Sequence, residues 1–394
     1  MSLLTLPTAR PTAPVSPAAE PYLVTVDVGN RKRKYRRHAE RWVAEDSLVR
    51  RPTTVTDHLD AAVALRPFVY EDGPAAIDAD ERGRLQRRPF LVGADALRGG
   101  SVDLARIGTA HARIASDAYK ILHLASIADA LPRLVTHVSN GGVWYPRPEV
   151  AADILFAGGL PAEDGGLKPA LLAWLKGDVR RAAHAFRYGE TLFRLRIVGA
   201  LIVPQHVAAA ASLVFDERGV PKANGALRRK RLMLDSGGGT TDFGGSVGLE
   251  VIPGTEGGTR KGAVDVAVLA RQSLLARWPR LQLTVLDVLA AMDMEEPTVF
   301  VGGQPERVDA ELAQAAEELA TAILADVTPH WETHLSQSEV NLAGGNARHL
   351  FPTLRRAFQQ MADVPVNLLD RAIYRIAEGA DRLARHRRGV ASTQ

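Results

Sequence analysis

Leu234 to Phe243 read LDSGGGTTDF: Gly237, Gly238 and Gly239 followed by Thr240 and Thr241, all set between Asp235 and Asp242, directly after the apolar Leu232-Met233-Leu234. Consecutive glycines tolerate positive φ and let the backbone approach a ligand, so several amides can converge on phosphate oxygens. The threonines add hydroxyl donors. Asp235 and Asp242 repel phosphate, but they suit the orientation of a hydrated Mg²⁺. The competing reading is a tight hairpin turn, with Gly244-Gly245-Ser246-Val247 as the returning strand.

The elements that must position such a loop repeat along the chain. The β-branched, apolar Tyr22 to Val26 runs into Asp27-Val28-Gly29-Asn30, a second strand ending in an acidic, glycine-containing turn. Laying TVDVGN over MLDSGG pairs Asp27 with Asp235 and Gly29 with Gly237, which predicts two similar domains facing one cleft. A third glycine turn, Gly344-Gly345-Asn346, follows the strand candidate Ser338 to Leu342. Helical spacing covers Ile114–Ala130, Val264–Trp278 and Val308–Ala325, and further helices run to about Arg387. A short strand is expected at Arg88–Gly93, and a strand or hairpin at Leu192–Val203 before Pro204. The result is a mixed α/β protein. Gly141–Gly166, rich in glycine and proline, reads as a surface excursion, and the proline-rich residues 1–21 as a disordered tail.

Composition narrows the classes. With 394 residues, 46% hydrophobic and 24% charged, the chain is long enough for two or three cores of ordinary globular character. It has no cysteine, which removes disulfides, thiolate nucleophiles and zinc–thiolate sites. No apolar stretch reaches the ~18 residues of a bilayer-spanning helix, and a cytoplasmic protein without a membrane partner is expected. His206 has no companion at metal-ligand spacing, and no GxxxxGK[ST] loop occurs.

Three glycine turns in this order, with Pro204-Gln205 between the first two, resemble the actin and sugar-kinase superfamily of ATPases, and within it the ParM-type plasmid-segregation and bacterial or archaeal actin-like proteins. The resemblance spans about 22–380. It implies an actin-like (ribonuclease H-like) fold of two related domains, each with a mixed five-stranded sheet, closing on ATP (or GTP) and Mg²⁺. The first domain would be 22–220, with a C-terminal helix at 370–387 packing back on it, and the second 221–369. Asp27, Gly29, Asn30 and Lys34 match the first phosphate loop of that family. Asp235, Gly237–Thr241 and Asp242 match the second, and Gly344, Gly345 and Asn346 the adenosine loop. Gly257 and Gly258 resemble the segment near the ribose. Gln205 matches the residue that orients the attacking water, and Asp27 and Asp235 would hold the metal through water.

One departure stands out, because six of the seven residues Arg31–Arg37 are basic. Lys34 and Arg31 are expected to reach phosphate, with the remaining bases outside as a solvated edge or as a contact for a polyanion such as DNA. Arg228–Arg231 reads as a solvated hairpin end. Among the functions hosted by this superfamily, only 47 residues after Ala347 disfavour a chaperone. A filament-forming ATPase that assembles with copies of itself and moves DNA through an adaptor is the leading expectation. A non-polymerising DNA- or partner-binding module and a small-molecule kinase are the alternatives.

Overall fold

The computed structural model describes residues 20–29, 31–37, 41–50, 66–97, 114–131, 135–140, 143–177, 183–223 and 225–392. Asn30, Gly141 and Gly142, like most of the expected tail, lie outside the described residues.

Strand β1 (Tyr22–Val28) is continuous β-branched and apolar sequence, and it is buried from Val24 onward. It pairs antiparallel with β2 (Lys32–Arg37), and β2 with β3 (Arg41–Asp46). On its other side β1 runs parallel to β6 (Val143–Leu160), which in turn runs parallel to β8 (Thr191–Pro204). The hairpin partners β4 (Phe68–Asp72), β5 (Val135–Asn140) and β7 (Ala183–Tyr188) extend this sheet to eight strands, in the order β3-β2-β1-β6-β8-β7-β4 with β5 beside β6.

The second sheet repeats the plan. Here β9 (Lys230–Ser236) pairs antiparallel with β10 (Thr241–Val247), and β10 with β11 (Glu250–Val251). On the other side β9 runs parallel to β13 (Glu339–Ala343), and β13 to β14 (Val366–Leu368). One further strand, β12 (Gly257–Thr259), also pairs with β10. Five strands in the same order and direction thus recur in both sheets. The expectation of five strands each holds for that shared part alone, since the observed sheets have eight and six.

The excursion expected at Gly141–Gly166 is a correction: most of it is β6, the central strand of the first sheet. Its glycines are packing sites. A Cβ on Gly158 would meet Val26 O at 2.9 Å, and one on Gly159 would meet Ile376 Cγ2 at 2.9 Å.

Helix α1 (Asp117–Ala130) covers one face of β1 and β2, and Ser116 caps it by accepting from Tyr119 N at 3.2 Å. Beyond it lie α2 (Lys168–Lys176) and then α3 (Gln205–Val214), whose Ala208–Ala211 are fully buried. The second sheet carries α4 (Ala263–Arg277), α5 (Val285–Asp293), α6 (Asp309–Trp331) and α7 (Ala347–Ala362). The last helix, α8 (Arg375–Ser392), returns to pack on α3, β1 and β6. Each sheet has its own apolar core, and a third joins Ala157 and Val203 of the first sheet to Met233 and Ala343 of the second through α3 and α8.

Both expected basic clusters are more interior than solvated edges. Strand β2 alternates with period two between covered faces. Arg33, fully buried against α1, pairs with Glu45 at 2.5 Å and Asp129 at 3.0 Å. On the opposite face Lys34 meets Asp27, and Arg36 approaches Asp381. In the second cluster Arg231 is also buried, with Nε 2.7 Å from Glu339 Oε1 and Nη1 donating to Ala226 O.

The crossing of α3 and α8 depends on Gly379, where a Cβ would fall 1.6 Å from Ala208 O. Gly379→Ala is expected to destabilise the protein by about 1–3 kcal/mol, as overpacked sites do. Urea denaturation checks this, and an unchanged midpoint would argue against so close a crossing.

Candidate functional site

The two equivalent hairpins close their turns alike. Gly29 N donates to Lys32 O at 3.1 Å, and Gly237 N donates to Thr240 O at 2.8 Å. Both turns open on one cleft between the sheets. Its wall includes Gly29, Lys34, Gln205, Asp235, Gly237, Gly238, Thr240, Gly344, Gly345 and Asn346.

Asp27 and Asp235 end their strands almost fully buried. Lys34, directly opposite Asp27 across the β1–β2 ladder, donates to Asp27 Oδ2 at 2.9 Å. Burial alone would lower the Lys34 pKa, but Asp27 and then Asp235 outweigh it and leave the ammonium raised. Gln205, at the first turn of α3, donates from Nε2 to Asp27 Oδ1 at 3.4 Å. In the second hairpin the residue opposite Asp235 is Asp242, a like charge where the first hairpin has a lysine. Thr240 Oγ1 donates to Asp242 at 3.4 Å. Burial pushes Asp235 up to about 7, Lys34 pulls it down and Asp27 adds to the rise.

The third turn is locked to the second hairpin. Gly344 has φ +94°, and a Cβ there would lie 2.2 Å from Ser236 O, so only glycine fits. Asn346 donates from N to Ser236 O at 3.0 Å and from Nδ2 to Ser236 Oγ at 3.1 Å, while its buried Oδ1 has no hydrogen-bond partner. The first amides of α4 are also committed: Ala263 N and Val264 N donate to Gly237 O and Gly238 O.

Other expected positions stand behind the wall. Thr241 is fully buried; its hydroxyl donates to Lys261 O at 2.7 Å and lies 2.9 Å from the hydroxyl of Ser236, from which it can accept. Asp27, Gly239 and Asp242 are not on the cleft surface either; Asp27 lies just behind it, under Lys34 and Gln205. Gly257 and Gly258 belong to β12; a Cβ on Gly257 would strike the Phe243 ring at 2.5 Å, and one on Gly258 would crowd Glu163 and Asp242. Their glycines serve sheet packing. His206 is buried beneath Gly244 and depressed to about 4 by burial, so it is neutral at physiological pH.

Sequence reasoning missed the far side of the cleft. Arg31 reaches across it, with Nη2 donating to Leu289 O at 2.5 Å and lying 2.7 Å from Asp293 Oδ2. Lys32 Nζ is 3.3 Å from the same carboxylate. The available signal was Asp293-Met294-Glu295-Glu296, acidic residues at a helix C-terminus, where the helix dipole disfavours them. Pro161 and Ile373, also in the wall, carry no such signal.

No family model matches the chain, and no curated protein matches it by sequence. Solved structures do match over nearly the whole length. The archaeal actin homologue Ta0583 superposes with TM-score 0.66 at 16% identity, covering 93% of this chain and 99% of that one. A ParM from a 15-stranded Clostridium botulinum filament gives 0.65 at 16%, covering 94% and 100%. Bacillus thuringiensis ParM with ATP gives 0.60 at 15%, covering 93% and 99%. At this identity the likeness establishes the fold, which is actin-like α/β with mixed sheets.

Asp235 carries a pH signature. Its folded pKa, about 7, lies above the 3.8 of an ordinary aspartate, so its contribution to stability is complete below pH 4 and is lost as pH rises through 7. Unfolding free energy should therefore fall by a few kcal/mol more across this window in the wild type than in Asp235→Asn. Parallel urea titrations at pH 4 and 8 test this; identical slopes would sink the assignment.

Proposed function

We propose that the chain binds and hydrolyses ATP between its two halves and polymerises into filaments as it does so, serving DNA segregation through an adaptor. The observation that carries this reading is the convergence of two equivalent strand–Asp–Gly turns, Asp27-Val28-Gly29 and Asp235-Ser236-Gly237, on one cleft. Supporting it, structurally similar proteins include one solved with ATP and one built into a filament. The domains in this reading are 22–220 with the returning C-terminal helix, and 221–369.

In the proposed complex the amides around Gly29 and Gly237–Thr240 receive phosphate oxygens, and Lys34 turns from Asp27 toward the β- and γ-phosphates as a point charge. Gly344, Gly345 and Asn346 border the nucleoside, and the free Oδ1 of Asn346 is an acceptor for it. Gln205 holds a water by donor and acceptor without being a base, which suits slow hydrolysis. The donor set fits a hard divalent cation: Asp235 is a buried carboxylate in the cleft wall, and a cation beside it would offset the cost of burying its charge. Mg²⁺ when bound would neutralise phosphate charge, with Asp27 and Asp235 holding it through its waters.

Direct polyanion binding by Arg31–Arg37 has less support. Every basic side chain of that run faces a carboxylate, Arg31 and Lys32 at Asp293, Lys34 at Asp27, Arg36 at Asp381, and Arg33 and Arg37 at Glu45. A nucleic acid would have to displace all of them.

Fluorescent-ATP titration, phosphate release and light scattering with Mg-ATP test the reading together. Asp235→Ala should lose hydrolysis at least ~100-fold while staying folded, a loss of the size seen on removing a group that stabilises a transition state. Gln205→Ala should slow hydrolysis yet keep ATP affinity. Wild-type protein that fails to bind ATP would overturn the proposal.

A further inference from the structure

Another cavity lies outside the cleft, between the β2–β3 hairpin, α8 and the turn at Arg371. Arg36, Arg41, Arg371 and Arg382 line it with Glu217, Glu378, Asp381 and the half-buried indole of Trp42. Two of these carboxylates are already engaged. Glu378 meets Arg371 at 3.1 Å and Arg375 at 3.2 Å, and Asp381 meets Arg385 at 2.7 Å and accepts from Thr25 Oγ1 at 3.2 Å. Arg36 approaches Asp381 only to 3.8 Å, and its Nε is buried with no hydrogen-bond partner. The lining itself holds four guanidiniums against three carboxylates. Arg371 itself is held at φ +51°, a left-handed conformation costly outside glycine that the surroundings must enforce. Such a wall fits an acidic segment with an apolar anchor.

The chain presents such a segment at its other end. Asp293, Glu295 and Glu296 are exposed just past α5, with Met294 43% exposed among them. Nearby Phe300, at 68%, is more exposed than any other large hydrophobic among the described residues. The two surfaces sit at opposite ends of β2. Asp293 pairs with Lys32 at the strand's start, and Arg36 enters the cavity near its end. The strand's six residues separate them by roughly 17–20 Å at ~3.3 Å per residue.

We propose that the cavity receives the 293–300 segment of a second copy of this chain, its Glu295 meeting Arg41 and its Met294 and Phe300 meeting Trp42, while Asp293 and Glu296 keep their pairs with Arg31, Lys32 and Arg307. The contact is heterologous, joining two different patches, so it repeats from copy to copy and builds an open filament wherever its rotation does not close a ring. Residues 1–19 hold no Asp or Glu, so the chain's own amino-terminal segment lacks the charge to compete. The inference rests on the self-assembly reading above and names its surfaces.

Pelleting of the full chain with Mg-ATP tests it. Arg41→Glu and Glu295→Arg, both remote from the cleft wall, should each raise the concentration needed for assembly at least tenfold and leave fluorescent-ATP affinity unchanged. Combined in one chain, they should restore assembly. Wild-type assembly with single variants that match it would overturn this contact and leave the filament reading intact. Two impaired single variants with no recovery in the combination would overturn it too. Wild-type protein that binds ATP but never pellets would overturn both readings.

Discussion

Two buried carboxylates lean on one ammonium, and much of the molecule is arranged around that shortage. Asp27 has Lys34 as its direct cross-strand partner, whereas Asp235 at the equivalent place has Asp242. Like charges opposed across a ladder are unfavourable, and burial makes the opposition worse. Lys34 therefore acts on both sides of the cleft, bonded to one aspartate and attracting the other through space. Drawing the two halves apart removes that attraction from Asp235, and bringing a cation in relieves it. One ammonium thus serves a buried carboxylate on each side of the cleft.

The halves are joined where this deficit can be felt. Helices α3 and α8 cross on a seam of alanine and glycine, touching the backs of both sheets. Small side chains there bring helix backbones close and leave few interdigitated ridges to resist sliding. Gln205 starts α3 and contacts Asp27, so the helix that forms the seam also delivers a side chain to the cleft.

What could be read in the sequence was what has a local cause. A strand that ends in Asp and Gly states its chemistry within a few residues, and the Asp27/Asp235 match proved to be two hairpins with the same turn hydrogen bond and the same strand order around them. Strand β6 was not legible, because Pro146, Pro148 and paired glycines look like a loop. The reason for Gly158 and Gly159 is the approach of Val26, Ile376 and Gln205 from distant segments. Arg33 and Arg231 looked exposed for the same reason, since Glu45, Asp129 and Glu339 become their partners only through folding. The Arg31 contact with Leu289 O and Asp293 was equally hidden. Its one local trace was the acidic run that begins at Asp293, where α5 ends.

Strand β2 is hydrogen-bonded along both edges, to β1 and to β3, and is covered on both faces. Such an element is stiff lengthwise and cannot absorb a displacement internally. Its first residue touches the rim of the cleft at Asp293, and its far end carries Arg36 and Arg37. A tilt imposed on Lys32 would therefore arrive at the strand's far end as a movement of guanidinium groups, as along a connecting rod.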